Sequence, residues 1–190
     1  MEDKWDKIYS KKTHEEHSPC SVIVENAHLL PSAGKALDLA CGMGANAIFL
    51  AEHQLQVDAW DVSSIALKKL AEYSLENNLT ISTSNRNVEK MPPAAASYDV
   101  VTVSHFLHRP TFRALCDSLR MEGLLFYQTY TLEKVTKEGP TNPDYLLAKN
   151  ELINLCEGME ILVYREEGTQ GDVHQGWRNQ AMIVAKRTKQ

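Results

Sequence analysis

The 190-residue chain has no apolar run approaching the roughly 20 residues that a bilayer span requires, so no membrane partner is expected. It has no basic run either. Its 20 Lys and Arg stand against 25 Asp and Glu, a balance of −5 that offers a nucleic acid no cationic face. The four cysteines, Cys20, Cys41, Cys116 and Cys156, are far apart and include no CxxC pair. That argues against a disulfide framework or a zinc site and for reduced thiols in a cytoplasmic setting. No other constellation of metal ligands is visible, so no metal is expected. Met1–Ser18 is charged and lacks an apolar core, which does not fit a secretory leader. There is no internal repeat and no low-complexity segment. With 43% hydrophobic and 24% charged residues, the composition is that of an ordinary globular protein, long enough for one sizeable core and short for two.

What the chain does have is alternation. Residues 35–40, 56–60, 80–85, 98–104 and 123–130 read as strands, and segments near 19–30, 45–53, 63–77 and 111–120 read as helices. Tyr98 to Ser104 is nearly continuous in β-formers, as in a strand covered on both faces. Such alternation predicts a doubly wound α/β fold with a mostly parallel sheet. After a helix near 149–157 come two strand-like runs, 159–165 and 179–186, with only a polar stretch between them. Lacking a crossover helix, they should pair antiparallel, giving seven strands with the last one reversed. The whole of 1–190 is expected to be one domain, with 1–30 a helical cap and 35–190 the core.

The stretch Ala36-Leu-Asp-Leu-Ala-Cys-Gly-Met-Gly-Ala-Asn46 concentrates the functional signal. An apolar run carries Asp38 and breaks into a loop with Gly42 and Gly44, where backbone can come close to a ligand because no Cβ intervenes. A helix-forming segment follows, and a second apolar run then ends in Asp61. Strand, glycine loop, helix, strand and acid together describe a nucleoside-binding βαβ unit. Trp5 and Tyr9 are one helical turn apart, as in an aromatic lid, and an aromatic face attracts a cation.

With these segments in order, the sequence resembles class I S-adenosylmethionine-dependent methyltransferases over nearly its whole length. Asp38 to Gly44 is similar to the family's first motif, with Ala40 where a glycine is usual. Asn87-Val88-Glu89 followed by Met91-Pro92 is similar to the third motif, Asn87 replacing the more frequent aspartate, and residues 103–108 fall at the fourth. More narrowly, Val57 to Asp61, Asn150-Glu-Leu and the ending Ala181 to Lys186 resemble the small bacterial tellurite-resistance and thiopurine methyltransferases. The resemblance implies S-adenosylmethionine as cofactor and S-adenosylhomocysteine as product. It implies a cofactor site of Trp5, Tyr9, Asp38, Ala40, Cys41, Gly42, Gly44, Asn46, Asp61, Val62, Asn87, Val88 and Ser104. Asp38 would offset positive charge, Asp61 accept from the ribose hydroxyls, and Asn87 and Val88 pair with the adenine edge.

The reaction implied is direct displacement of the methyl group onto a small-molecule acceptor, in a monomer or homodimer. A soft thiolate or chalcogen oxyanion needs little base; a phenol or alcohol wants one, and histidine suits that role. His174 and Arg178 lie in the polar connection before the last strand, at the sheet edge where ligands bind, and His105 follows the fourth strand. These three are the catalytic candidates, with Arg178 positioned to grip an anionic acceptor through its planar fork. Two other readings are open. Gly42-Met-Gly44-Ala-Asn-Ala47 also satisfies the G-x-G-x-x-G/A pattern of an NAD(P)-dependent oxidoreductase, and a noncatalytic adenosylmethionine-binding module would share the pocket. The long irregular stretch Thr131 to Tyr145 is a further functional candidate.

Overall fold

Seven segments rich in β-branched and apolar residues pair into one sheet: β1 Gly34–Leu39, β2 Leu55–Asp61, β3 Ile81–Asn85, β4 Tyr98–Ser104, β5 Leu119–Tyr130, β6 Glu160–Arg165 and β7 Gln180–Lys186. The computed structural model describes residues 2–12 and 18–188, so the expectation for Met1–Ser18 falls partly outside the described residues. The spatial order is β3-β2-β1-β4-β5-β7-β6. Strands β1 to β5 run parallel, and β7 is antiparallel to both β5 and β6. The order reverses between β1 and β4, which makes the crevice beyond their carboxyl ends the place for a ligand.

Six helices accompany the sheet among the described residues: α1 Glu2–Tyr9, α2 Ser21–Glu25, α3 Ala45–Glu52, α4 Ser64–Glu76, α5 Arg109–Ser118 and α6 Glu151–Leu155. Side chains alternate across each strand, and two cores result. On one face Leu37, Leu39, Val101, Val103, Leu125 and Ile183 meet Phe112 and Leu115 of α5 and Leu152 of α6. On the other, Ala36, Val57, Val100, Phe126 and Val184 meet Val22 and Ile23 of α2, Leu50 of α3 and Leu70 of α4. Each such side chain, wholly removed from water, contributes roughly 1.5–3 kcal/mol. By the same alternation Asp38 shares its face with Ala36 and is turned toward α3.

Two expectations change. The helix near 19–30 is the five-residue α2 followed by a 3-10 turn, Ala27–Leu29. Its β-branched run, Val22-Ile23-Val24, disfavours a longer helix. Because Val22 and Ile23 are fully buried in the core, residues 20–30 belong to the body of the protein, and only α1 is left to act as a cap. The helix expected at 111–120 begins at Arg109, Pro110 fitting its first turn, and gives way directly to β5 at Leu119.

Candidate active site

Strand β1 is followed by Ala40, whose φ of 56° is left-handed. This is the position where glycine is usual, and alanine there holds strained backbone, a feature that clusters at functional sites. Gly42 and Gly44 also have positive φ, 54° and 79°. A Cβ on Gly42 would stand 2.5 Å from the Tyr9 Oη, and one on Gly44 would stand 2.4 Å from Leu70 Cδ2. The first glycine admits the lid and the second lets the loop rest on α4 and start α3.

Asp38 lies beneath this loop with 1% exposure. Its Oδ2 accepts from the Ala47 N–H at 3.0 Å, while its Oδ1 is sealed from water without a hydrogen-bond partner. Burial pushes its pKa up to about 7, against the pull of the Ala47 N–H and the Asn46 side chain. An orphaned buried carboxylate oxygen is rare in a folded protein and calls for a donor or a cation.

Asp61, at the end of β2, is also buried. It accepts from the Gly42 N–H through Oδ2 and from the Ser63 N–H through Oδ1, both at 2.8 Å. Burial raises its pKa, with those bonds opposing. The acid therefore ties the glycine loop to the start of α4. Each of its oxygens keeps a second lone pair, the capacity that ribose hydroxyls would use.

Tyr9 lies close to both acids: burial raises its pKa, and so do Asp61, Cys41 and Asp38 around it. Trp5 stacks on Tyr9 with ring centroids 5.9 Å apart. Helix α1 is held at its middle and at its C-terminal end. Asp6 accepts from Ser63 Oγ at 2.5 Å, the Ile65 N–H at 3.2 Å and Ser64 Oγ at 3.3 Å, so its charge sits at the N-terminus of α4. Its pKa is lowered, chiefly by the Ser63 hydroxyl. At the C-terminal end Lys69 Nζ donates to the carbonyls of Tyr9 at 2.8 Å and Lys12 at 2.6 Å. Asp6→Ala is expected to free α1, making Lys11 and Lys12 trypsin-sensitive and weakening ligand binding severalfold with little change in the melting temperature. Limited proteolysis and calorimetry check this, and unchanged cleavage would mean that Lys69 and the aromatic contacts suffice.

Farther along the edge, His105 follows β4 with a φ of 54°. Its ring stacks on Tyr130 at 4.9 Å, and its Nε2 lies 3.2 Å from Gln180 Oε1. Although part of the residue reaches solvent, the protein packed around the ring lowers its pKa, with Gln180 and Glu138 opposing. Arg109 clamps the segment beyond β5. It forms a bidentate pair with Glu151 at 2.5 and 2.9 Å, and donates to the carbonyls of Asp144 and Leu146. Among the described residues no grouping of His, Cys, Asp and Glu could hold a metal ion, and no helix is long and apolar enough to cross a membrane. The four cysteines are unpaired.

A family model described as a methyltransferase domain matches residues 36–123, the segment that contains Asp38, the glycine loop and Asp61. The chain is 25% identical over 170 residues to the probable S-adenosyl-L-methionine-dependent methyltransferase TehB of Haemophilus influenzae, covering 86% of this chain and 58% of that protein. It is 29% identical to the ubiquinone biosynthesis O-methyltransferase of Xanthomonas axonopodis pv. citri, covering 96% of this chain and 84% of that one. The crystal structure of Haemophilus influenzae TehB superposes with a TM-score of 0.73 at 22% identity, covering 98% of this chain and 67% of that chain. Together these findings support a class I S-adenosylmethionine-dependent methyltransferase, similar to the TehB-like group, of whose curated member the chain spans about 58% of the length.

That likeness and the fold imply S-adenosylmethionine as the cofactor. The nicotinamide pattern at Gly42 to Ala47 falls inside the matched methyltransferase domain, which removes the oxidoreductase reading. The residues expected to form the cofactor site come together unevenly. Trp5, Tyr9, Asp38, Ala40, Cys41, Gly42, Gly44 and Asp61 gather at the ends of β1 and β2, with Val62 the residue after Asp61. Asn46 and Ser104 are instead a brace: Asn46 Oδ1 accepts from the Cys20 N–H at 2.9 Å and its Nδ2 donates to Ser104 Oγ at 3.0 Å. Asn87 Oδ1 accepts from the Glu89 N–H at 3.0 Å, closing a local turn, and Val88 is buried in the core beside Trp60.

The role given to Arg178 needs correction. Its guanidinium donates to the carbonyls of Gln175, Gly168, Gln170 and Asp172, all in its own loop. A fork spent on backbone carbonyls staples a loop and has little left for an anion. His174 is exposed at that loop's tip, its backbone N–H bonded to Asp172 and its ring without a hydrogen bond among the described residues. Of the three catalytic candidates only His105 is built into a side-chain network. Sequence reasoning missed Asp6, Arg109, Gln128 and Gln180. A visible signal existed for one of them: Gln128 is an amide inside the otherwise apolar run of β5.

Proposed function

We propose that this methyltransferase transfers a methyl group to a small-molecule acceptor that enters beyond the carboxyl ends of β4 and β5. The observation that carries the cofactor half of this reading is the sealed, partnerless Oδ1 of Asp38. That oxygen calls for a donor or a cation, and a cationic amino-acid sulfonium, with an ammonium group besides, supplies both, so the residues fit the cofactor. Asp38, Asp61, the loop from Ala40 to Gly44, and the Trp5–Tyr9 pair would hold it. Bound there, S-adenosylmethionine supplies an electrophilic methyl carbon, whose bond to sulfur breaks as the bond to the acceptor forms.

The protein's own part is alignment and exclusion of water. Positioning of this kind contributes roughly 7–11 kcal/mol to lowering a two-reactant barrier. Helix α1 covers the cofactor side. The segment after β5 closes the acceptor side, with Thr131 bridged to Leu147 and Arg109 clamped to Glu151. Two anchored segments around one edge favour a compact acceptor. Among the relatives, the O-methyltransferase is named for ubiquinone biosynthesis. A third, the ribosomal protein uL3 glutamine methyltransferase of Bordetella pertussis, is 38% identical over 98 residues, covering 48% of this chain and 32% of that one.

The test uses tritiated S-adenosylmethionine and a cell extract fractionated by size. Label is expected in the acid-soluble, low-mass fraction. Label confined to acid-precipitated protein would redirect the acceptor to a polypeptide. Adenosylhomocysteine binding without any transfer would favour a noncatalytic module.

A further inference from the structure

The tautomer of His105 can be worked out from a backbone amide three residues into the network. The Val22 N–H donates to Gln128 Oε1 at 2.8 Å, and a backbone N–H can only donate. That fixes which end of the Gln128 amide is oxygen, so its Nε2 is the donor at 2.8 Å to Gln180, whose facing atom must be Oε1. The same Oε1 lies 3.2 Å from His105 Nε2. An oxygen without a hydrogen cannot donate, so the ring nitrogen facing it carries one. His105 is thereby held as the Nε2–H form, and in the neutral ring Nδ1 is left with its lone pair. No hydrogen bond to Nδ1 is found among the described residues.

The location suits chemistry. Asp38 pairs with Thr102 across the sheet, so His105, the residue just past the end of β4, stands at the same carboxyl edge. We propose, resting on the methyltransferase reading above, that His105 Nδ1 takes the proton of the methyl acceptor, that Gln180 and Gln128 are positioning residues for it, and that the acceptor is a hydroxyl compound. A thiolate or oxyanion has no proton to give, and a fixed basic nitrogen would be idle beside it. When a hydroxyl oxygen attacks the methyl carbon, the sulfur–carbon electron pair returns to sulfur, and the hydroxyl proton moves to Nδ1 and then to solvent.

The groups facing His105 from neighbouring elements are few. Gln180 comes from β7 and Tyr130 from β5; Glu138, from the segment beyond β5, meets Tyr130 Oη at 3.5 Å. The crowding that lowers the histidine pKa outweighs the opposing pull of Gln180 and Glu138. The sign is favourable. A base with a lowered pKa is unprotonated at neutral pH, and activity should rise with pH through a limb that lies below the ordinary histidine range.

The test has two parts. Long-range proton–nitrogen correlation spectra of the full chain, labelled at histidine, should show His105 neutral at pH 7 with its proton on Nε2. The Nδ1–H form, or a cation at that pH, would overturn the proposal. Gln180→Leu should mix the two tautomers, whereas Gln180→Glu should keep Nε2–H and move the titration upward. An unmoved tautomer in Gln180→Leu would remove the relay from the mechanism. In the second part, catechol and benzenethiol serve as probe acceptors with tritiated cofactor. His105→Ala should slow catechol methylation by about 10²-fold or more and barely affect benzenethiol, which ionises unaided. Equal loss on both, or no catechol methylation by a protein that binds adenosylhomocysteine, would overturn the hydroxyl assignment. A wild-type chain that fails to bind adenosylhomocysteine would instead defeat the methyltransferase reading itself.

Discussion

Asp38→Asn is expected to give a protein that melts higher than wild type at pH 8 and binds S-adenosylmethionine ten- to a hundredfold more weakly. The first half follows from linkage. A carboxyl whose folded pKa is pushed up to about 7 from an ordinary 3.8 binds its proton more tightly in the folded chain than in the unfolded one. Its stabilising effect is therefore present at low pH, is lost as pH rises from the unfolded value through the folded one, and is gone above about 7. The whole displacement corresponds to ~4 kcal/mol at most. The substitution recovers less, about 1–2 kcal/mol, because the new amide places an unpartnered NH2 where Oδ1 was sealed. In a chain of this size that is a few degrees of melting temperature. The advantage should shrink toward zero near pH 4, where wild-type Asp38 is itself protonated.

The second half follows from what the strain is for. A buried charge with one empty lone-pair site is poorly placed in the free protein and well placed once a cation arrives. Hydrogen bonds to charged groups contribute about 1.5–3 kcal/mol, which sets the loss of affinity. Scanning calorimetry from about pH 4 to about pH 8 with and without ligand separates the two effects. A variant that melts lower than wild type at pH 8 would show that the carboxylate is a structural group and not one held in readiness. Binding should also expel a proton from wild type near neutral pH, which calorimetry in buffers of different ionisation enthalpy detects and the Asn variant should lack.

How much of this was legible beforehand depends on the kind of residue. All seven strands were readable: most are short, dense apolar runs separated by polar turns, and a two-sided strand such as Val100 to Val103 admits little else, while β3, Ile81–Asn85, is mostly polar. Asp38 and Asp61 stood out because an acid at the end of an apolar run is costly unless it has a task. Their bonding was not legible. That Asp61 would accept from Gly42 and Ser63 depends on two loops meeting across 19 residues. Arg178 misled for a related reason: a guanidinium in a polar loop reads as a ligand group, and only coordinates reveal that the loop's own carbonyls consume it. A helical cap over 1–30 is what the sequence suggests, yet Val22 and Ile23 bury against the sheet. The network of Gln128 and Gln180 joins β5 to β7, positions 52 residues apart, and no local pattern encodes it.

Asp61→Ala should act on folding and binding together, and more strongly than loss of ribose contacts alone would suggest. Removing the carboxylate strands the Gly42 and Ser63 N–H groups, each now donating to Asp61 at 2.8 Å inside the protein. An unsatisfied buried donor costs about 1–3 kcal/mol, so the fold is expected to lose ~2–4 kcal/mol before any ligand is considered. The lost volume and the loosened glycine loop then weaken cofactor binding by more than the about 1–3 kcal/mol that charge-assisted bonds to two hydroxyls would carry. Asp61→Asn separates the contributions. Its single carbonyl oxygen can serve one N–H while its amide NH2 confronts the other, so its stability should fall between the two. Binding should still be weak, because the charge is gone. Tyr9 reports on the same region: with Asp61 absent, one of the charges that raises its pKa is removed, and the phenol should ionise at lower pH in an ultraviolet titration. Should Asp61→Ala melt like wild type while losing affinity, the loop would have to be held by Cys41, whose N–H donates to the Trp60 carbonyl at 3.0 Å, and Asp61 would be a ligand group alone.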